Sequence, residues 1–320
     1  MSAVAIVAAS LSSCDDFLND NRYPQSVQTS NVEYWSNPSN VQGQCNYFYE
    51  LFSGYGNSSG AGEFYFPGLN DNQTSGSGGN QLAPWKNINV PTSSKSWDDP
   101  YAYIRRANLI IEGVAGSTLT DAEKENFTAI ARLIRGFQYY QLVRCYGDVP
   151  LVTKALDPAV EEDRKELFGP RTPRNQVMDY AFEDLDFAVK HIAAQKSKNA
   201  FSRDLAAAMM SEACLYEGSI ARYHQSDAAR AEKYFNAVVN CAGPLVDAYP
   251  VGDNYQATYN SFRGALSANA EVIFMKEYEK DVFMHATVDY TSSSTPISGI
   301  TKDAFDAYLF KDGKPKDLTS

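Results

Sequence analysis

A chain of 320 residues accommodates one large domain or two ordinary ones, and its 44% apolar content fills a core, which excludes a disordered polypeptide. A formal charge of −11 repels a polyanion over most of the surface, which excludes ordinary nucleic-acid binding. The 21 tyrosines outnumber the 17 phenylalanines, and that excess favours surfaces where a ring face and a hydroxyl are both useful, as in sites for polar ligands.

Ala3 to Ala9 carries no polar side chain, and Leu11-Ser12-Ser13-Cys14 follows with Asp15 and Asp16 behind it. A short apolar run, small residues and then a cysteine form a lipobox, whose thiol receives a diacylglycerol. Residues 1–13 are accordingly expected to be a lipoprotein signal peptide, and residues 14–38 a lipid anchor on Cys14 with a polar tether. No Lys or Arg precedes Cys14, so the basic start of such a signal is missing; a start codon placed a few residues late accounts for this. The apolar run falls short of the roughly 20 residues that span a bilayer.

A first helix is predicted from Ser39 to Phe52, with Val41, Cys45, Phe48 and Phe52 forming one stripe. Residues 53–95 lose all period. Gly, Ser and Asn dominate there, with Tyr55, Phe64, Tyr65, Phe66 and Trp85 interspersed, and a loop of that length carrying rings reads as functional rather than as a linker.

Helices resume at Ser96, where Ser96 and Asp99 resemble a capping box ahead of Tyr101, Ile104, Asn108 and Ile111. Thr120-Asp121-Ala122-Glu123 is a cleaner box. It opens a long helix carrying Phe127, Ile130, Ile134, Phe137 and Gln141 and ending at Tyr146-Gly147; Asp148 to Val152 then leaves in extended form. Thr172-Pro173 predicts an N-cap with proline at the first helical position of the next helix, which runs toward Ile192. Two more helices follow, Leu205–Tyr223 and Ala228–Cys241. Small residues on the first (Ala206, Ala207, Ala208, Ala213, Gly218) are placed to accept Phe235 and Val238 of the second, partly like a tetratricopeptide hairpin closed by Gly243-Pro244. Val272 to Met275 reads as a buried segment or short strand, and residues 284–300 are rich in Thr and Ser.

No constellation for catalysis stands out, and the reading is of a protein that is not an enzyme. Gly56-Asn57-Ser58-Ser59-Gly60 matches the nucleophile elbow but lacks its strand–turn–helix setting. Gly76-Ser77-Gly78-Gly79 is neither a P-loop nor a dinucleotide fingerprint. His191, His224 and His285 have no partners at metal spacing, the first two suiting helix C-termini. Asp184 and Asp186 lie two apart on a helix, so they point to different faces and read as solvated acids. Cysteines 45, 145, 214 and 241 show neither a C-x-x-C pair nor ligand spacing, and those inside helical patterns read as small core residues. No metal or cofactor is called for.

The helical block from Ala131 to Val152 reads ARLIRGFQYYQLVRCYGDVPLV, in which Ala131, Arg135, Gly136, Tyr139 and Leu142 lead into Gly147-Asp148-Val149-Pro150-Leu151. This strongly resembles the core signature of the SusD/RagB lipoproteins. Supporting matches are Trp97-x3-Tyr101-x2-Ile104-x3-Asn108, Arg171-x2-Arg174-x2-Val177, Glu183-Asp184-Leu185-Asp186-x-Ala188, Ala213-x-Leu215-Tyr216 and the start Cys14-Asp15-Asp16-Phe17-Leu18. Gly136 stands where alanine is usual in that family. The resemblance implies a mainly α fold over residues 39–320, with tetratricopeptide-like helix pairs over about 97–241 and a large loop-rich glycan-binding face. It also implies lipid attachment in the outer membrane facing outward, with a SusC-like TonB-dependent transporter as partner. Members are longer by a third or more, so a C-terminal part is expected to be missing.

Sugars offer C–H faces to aromatic rings and hydroxyls to amides and carboxylates. By residue type, the expected glycan contacts are Tyr65 and Trp85 as platforms, Asp71, Asn72, Gln73 and Asn87 as hydrogen-bonding groups, and Tyr290 from the second loop. Trp97, Tyr139, Tyr140 and Tyr146 are expected to pack helices instead. Readings of other classes are a tetratricopeptide-like protein adaptor, a peptide-binding variant of the family, and a loop-active glycoside hydrolase, for which no defensible pair of acids is found.

Overall fold

The computed structural model describes residues 32–52, 54, 72–75, 92–194, 197–252, 254–259, 265–279, 282–285 and 298–316. It is mostly helical and divides into two compact units. The first comprises Met1–Phe48, Ser96–Ala194 and Ser202–Cys241; the second comprises Tyr49–Lys95, Gln195–Phe201 and Ala242–Ser320.

In chain order, α1 is Val32–Trp35 and α2 is Pro38–Asn46, followed by a 3-10 turn at Tyr47–Leu51. Asn37 caps α2 through its side chain, which accepts from Ser39 N at 3.0 Å, and Pro38 takes the first position, where its missing N–H costs nothing. The predicted single helix from Ser39 to Phe52 is therefore an α-helix that tightens, although Val41, Cys45 and Phe48 are fully buried as the stripe required. The stretch assigned to a tether already contributes core: Trp35 is 4% exposed, and its indole covers Gly113, where an added Cβ would lie 2.2 Å from the ring.

The strand β1 is Gln73–Ser75, and α3 is Lys95–Ala115. Because α3 begins at Lys95, Ser96 is helical and its predicted capping role falls away. The next helix, α4 (Asp121–Tyr146), forms the predicted box in full: Glu123 N donates to Thr120 Oγ1 and Thr120 N to Glu123 Oε2. Gly147 ends α4 with a φ of 71°, which few residues besides glycine adopt at low cost. The sequence between α4 and the next long helix also contains α5, Glu161–Leu167, which no apolar period marked: none of its residues is buried.

The remaining elements are α6 (Arg174–His191), α7 (Arg203–Tyr223), α8 (Ala228–Ala248), α9 (Tyr255–Tyr259), α10 (Ala265–Ala268), β2 (Ser298–Ile300) and α11 (Lys302–Asp306). Thr172 does not cap α6. Its backbone pairs with Val149 instead, Pro173 occupies the cap position, and Asp148 Oδ1 accepts from Arg174 N at 2.8 Å. Nor does Gly243-Pro244 close the helix hairpin, since α8 continues to Ala248. Proline has no N–H to donate to the Asn240 carbonyl, and Asn240 is exposed, so the missing bond falls on the solvent side of the helix. Val272–Met275 is irregular and half-buried, with Met275 N donating to Lys198 O at 2.8 Å.

In the first unit α4 is the central helix, packed on α2, α6 and α7. Ala129, Ala131, Leu133, Ile134, Tyr139 and Leu142 are fully buried or nearly so, more of the helix surface than a single stripe, while Phe137 is only half-buried. At Gly136 the two helices come close enough that an added Cβ would lie 2.8 Å from Ala181 O of α6. Asp184, read as a solvated acid, is 1% exposed. It accepts from Arg132 Nε at 2.6 Å and from Arg135 Nε and Nη2 at 2.7 and 3.0 Å. Arg135 continues to Asn108 Oδ1 at 2.7 Å, and Asn108 donates to the carbonyls of Val152 and Lys154. Tyr139 spends its hydroxyl on both backbone groups of Val152, donating to O and accepting from N at 2.7 Å each. Past the Val149–Thr172 bridge, side chains from α3 and α4 thus serve backbone groups of Val152 and Lys154 in the extended segment.

Glu217 of α7, fully buried, joins α6 and α8. Arg174 Nη2 reaches it at 2.5 Å and Arg230 Nε at 2.6 Å, while Arg230, Lys233 and Tyr234 also converge on Asp179. Gly218 does accept a large neighbour, as predicted: an added Cβ there would lie 2.7 Å from the Phe235 ring. Cys45 and Cys214 are buried as expected, whereas Cys145 is exposed. No helix among the described residues is long and apolar enough to cross a membrane.

Candidate functional site

Of the residues singled out for glycan contact or lipid attachment, Cys14, Tyr65, Asp71, Trp85, Asn87 and Tyr290 lie outside the described residues, as do both glycine-rich motifs. Asn72 is exposed, and Gln73 opens β1.

β1 and β2 form a two-stranded antiparallel ribbon, pairing Gln73 with Ile300, Thr74 with Gly299 and Ser75 with Ser298. The glycine-rich loop and the Thr/Ser-rich segment, separate in sequence, therefore meet here. Ribbons this short are marginal alone. Thr301 ties this one to α11: its N–H donates to Asn72 O at 3.0 Å, and its hydroxyl caps the helix by accepting from Ala304 N at 3.2 Å. β-branched Thr74 and Ile300 suit extended backbone, but three-residue strands give no period that a sequence reading could detect.

The root of the loop is held within the same unit by a ring cluster that the sequence did not reveal. Tyr49 and Phe201 stack with centroids 4.4 Å apart, Phe52 and Phe274 lie 4.7 Å apart, and Tyr49 and Phe274 are near parallel at 6.4 Å. Tyr49 also accepts from Phe201 N through its hydroxyl, and Lys276 Nζ donates to Phe52 O at 3.1 Å. At Gly54 the backbone turns with a φ of 54°, and an added Cβ would lie 2.8 Å from the Tyr278 hydroxyl. Glycine is required there twice over.

Tyr278 belongs to a small turn closed by Glu279 and Phe283, which exchange two backbone hydrogen bonds of 2.9 Å. Its ring stacks on Phe283 (5.4 Å, 19°) and meets His285 edge to face at 4.7 Å; the Lys276 ammonium lies 5.0 Å from the Phe283 centroid. Phe283 is 37% exposed, Met284 is 43% exposed, and His285 is also at the surface. Rings, an imidazole and a hydroxyl thus share one turn beside the loop root. Such a set can offer apolar contact and hydrogen bonds to a ligand that carries both. The only trace of this in the sequence is the clustering of Phe274, Tyr278, Phe283 and His285 within a dozen positions.

Other chemistry is already committed elsewhere. Asp184 is neutralised by two arginines, and Asp186 is paired with Lys190, so the two do not face one another as a hydrolytic pair. His191 closes α6, hydrogen-bonded to Glu125 at 2.5 Å and stacked on Phe187. Among the described residues no group of three or more His, Cys, Asp or Glu could hold a metal ion.

Residues 63–215 match a SusD-like family whose members are described as starch-binding and associating with the outer membrane. A SusD-like protein of Formosa agariphila is 26% identical over 190 residues, covering 59% of this chain and 33% of its own. A second from that organism is 35% identical over 127 residues, 39% of this chain and 24% of its own. Among solved structures, a SusD-like carbohydrate binding protein of Bacteroides fragilis superposes with a TM-score of 0.64 at 18% identity, over 90% of this chain and 56% of that one. A laminarin binding SusD-like protein gives 0.51 at 20% identity, over 71% and 50%. The match thus spans about a third of the first curated relative and little more than half of the first structure.

Proposed function

The chain belongs to the SusD-like family, and on that premise we propose that it captures oligo- or polysaccharide at a cell surface without breaking any bond. The observation that carries this reading is the ribbon: it brings the loop holding Asn72 and Gln73 against the segment that precedes Ile300. Tyr278, Phe283 and His285 offer rings and polar groups in the same unit. The carbohydrate and laminarin binding named for structural relatives supports it. Tyr65 and Trp85 serve as ring platforms in this proposal, with Asp71, Asn72, Gln73 and Asn87 as hydrogen-bonding partners and Tyr290 as a further contact.

Lipid on Cys14 anchors the protein in the outer membrane, facing outward, and a SusC-like TonB-dependent transporter receives the glycan. Stacked tetratricopeptide-like helix pairs form the frame; the packing of α6 on α7 and of Phe235 on Gly218 supports this.

Affinity electrophoresis of the full chain in gels containing starch, laminarin and a panel of other polysaccharides tests the reading. Retardation in at least one gel without release of reducing ends is expected, and Trp85→Ala should abolish it. Reducing-end release would make the protein a hydrolase, and a lack of retardation in every gel, with a peptide ligand captured instead, would overturn the sugar assignment. For the anchor, Cys14→Ala should move the protein from the membrane fraction to the soluble one.

A further inference from the structure

Arg106 of α3 is held in place without being neutralised. Its guanidinium carbon lies 3.8 Å from the centroid of the Tyr47 ring, and Nη1 donates to Gln44 Oε1. Gln44 is oriented in turn, because its amide nitrogen donates to the Tyr34 hydroxyl at 2.7 Å. Tyr103, three residues before Arg106 on the same face of α3, sets its ring 5.7 Å from that of Tyr47 and 6.4 Å from that of the fully buried Phe48. Side chains of α1, α2, the 3-10 turn and α3 thus fix one planar cation, all within the first unit.

The core arginines of this unit face carboxylates: Arg135 meets Asp184, and Arg174 and Arg230 meet Glu217. Arg106 meets none among the described residues, and its Nε and Nη2 make no hydrogen bond there. The Tyr47 hydroxyl is likewise unbonded, on a residue 39% exposed. Arg106 itself is half-buried, so its open Nε/Nη2 edge is left to water.

We propose that Arg106, Gln44 and Tyr47 form a sugar contact separate from the loop residues, one that takes the carboxylate of a single acidic sugar on an otherwise neutral glycan. The inference rests on the glycan reading above and narrows its substrate class. The Nε/Nη2 edge is planar and matches a carboxylate through two parallel hydrogen bonds. Stacking on Tyr47 and the bond to Gln44 hold that edge in one orientation beforehand, which lowers the ordering cost of binding. The Tyr47 hydroxyl can donate to, or accept from, a neighbouring sugar hydroxyl. One arginine fits one carboxylate, and the net charge of −11 disfavours a polymer charged at every residue. A uronic acid carried at intervals on a neutral backbone satisfies both limits.

Affinity electrophoresis of the full chain tests this with glucuronoxylan and a glucuronate-bearing arabinogalactan, each before and after carboxyl reduction, which turns every uronate into its neutral sugar. At least one native polymer should bind about tenfold more tightly than its reduced form, the size expected of a charged hydrogen-bonded pair. Arg106→Ala should bring the native polymer down to the reduced level. Arg106→Lys keeps the charge but loses the fork, and should fall most of the way. Gln44→Ala should weaken binding about threefold, because it frees the guanidinium without removing it. Thermal unfolding of each variant separates a lost contact from a lost fold. Equal retardation by native and reduced polymers would overturn the site while glycan capture stands, as would discrimination that survives Arg106→Ala. Lack of retardation by both native polymers would also overturn it, and the neutral gels then decide the glycan reading separately.

Discussion

Arg135 and Asp184 form a two-point ion pair inside the first unit, Nε to Oδ2 at 2.7 Å and Nη2 to Oδ1 at 3.0 Å, with both side chains almost sealed from water. The guanidinium fork matches the carboxylate, and Nη1 donates to Asn108 Oδ1 and to the Thr153 carbonyl. Removing one partner leaves the other charged and buried. Asp184→Ala should therefore cost about 3–5 kcal/mol in urea unfolding. A loss below about 1 kcal/mol would mean that water already reaches the pair.

The two close-packed helix glycines should respond differently to alanine. In an exposed helix the exchange gains about 1 kcal/mol. At Gly136 the new methyl meets the Ala181 carbonyl, part of a rigid helix backbone, and overpacking of about 1–3 kcal/mol outweighs that gain. At Gly218 it meets the half-buried Phe235 ring, which can swing aside. Urea midpoints should fall clearly for Gly136→Ala and barely move for Gly218→Ala; the reverse order would refute this account.

Acid should act partly through Asp179. Burial alone would raise its carboxyl, but hydrogen bonds from Arg230, Lys233 and Tyr234 outweigh that and hold it below the usual range. A carboxyl lowered in the folded state stabilises above its unfolded value of about 3.9, and loses that contribution as pH falls through the folded value. Between pH 5 and pH 3, the parent should lose more stability than Asp179→Asn. Equal losses would remove Asp179 from the acid response.

At the ring-bearing turn, Phe283→Ala and Tyr278→Ala should each weaken polysaccharide retardation by about fivefold or more, the equivalent of roughly 1 kcal/mol at a contact that matters. Tyr278→Phe keeps the ring and separates stacking from the hydroxyl. Unchanged mobility in all three would confine sugar contact to the loop residues.

Amide hydrogen exchange should show the ribbon directly. Protection is expected at paired positions within 73–75 and 298–300 and at the Thr301 N–H. Thr301→Pro deletes that donor and should raise exchange in 73–75 while leaving α4 unaffected.

The long helices were legible because their ends are written in local chemistry. Thr120 and Glu123 at one end of α4 and Gly147 at the other mark boundaries that depend on only a few neighbouring residues. Failures arose where a distant partner decided. Asp184 looks like any surface acid until α4 brings Arg132 and Arg135 over it, and Asp148 takes the capping duty that Thr172 gives up to Val149. α5 was missed because it buries nothing. Of the candidate site, the two loops were visible from composition, yet their pairing was not: it rests on backbone hydrogen bonds between segments more than 220 positions apart. Tyr278 and Phe283 escaped notice although they are neighbours in sequence, since only the bridge between Glu279 and Phe283 stacks them.

Gly54 carries a consequence for how such a protein can diversify. Its left-handed backbone and the hydroxyl above it define one mooring, and the Asn72–Thr301 bond defines the next. The first mooring holds through a glycine and the second through backbone groups, so neither requires a particular residue type in the seventeen positions between them. A bulky replacement at position 54, by contrast, would unsettle the first of the two.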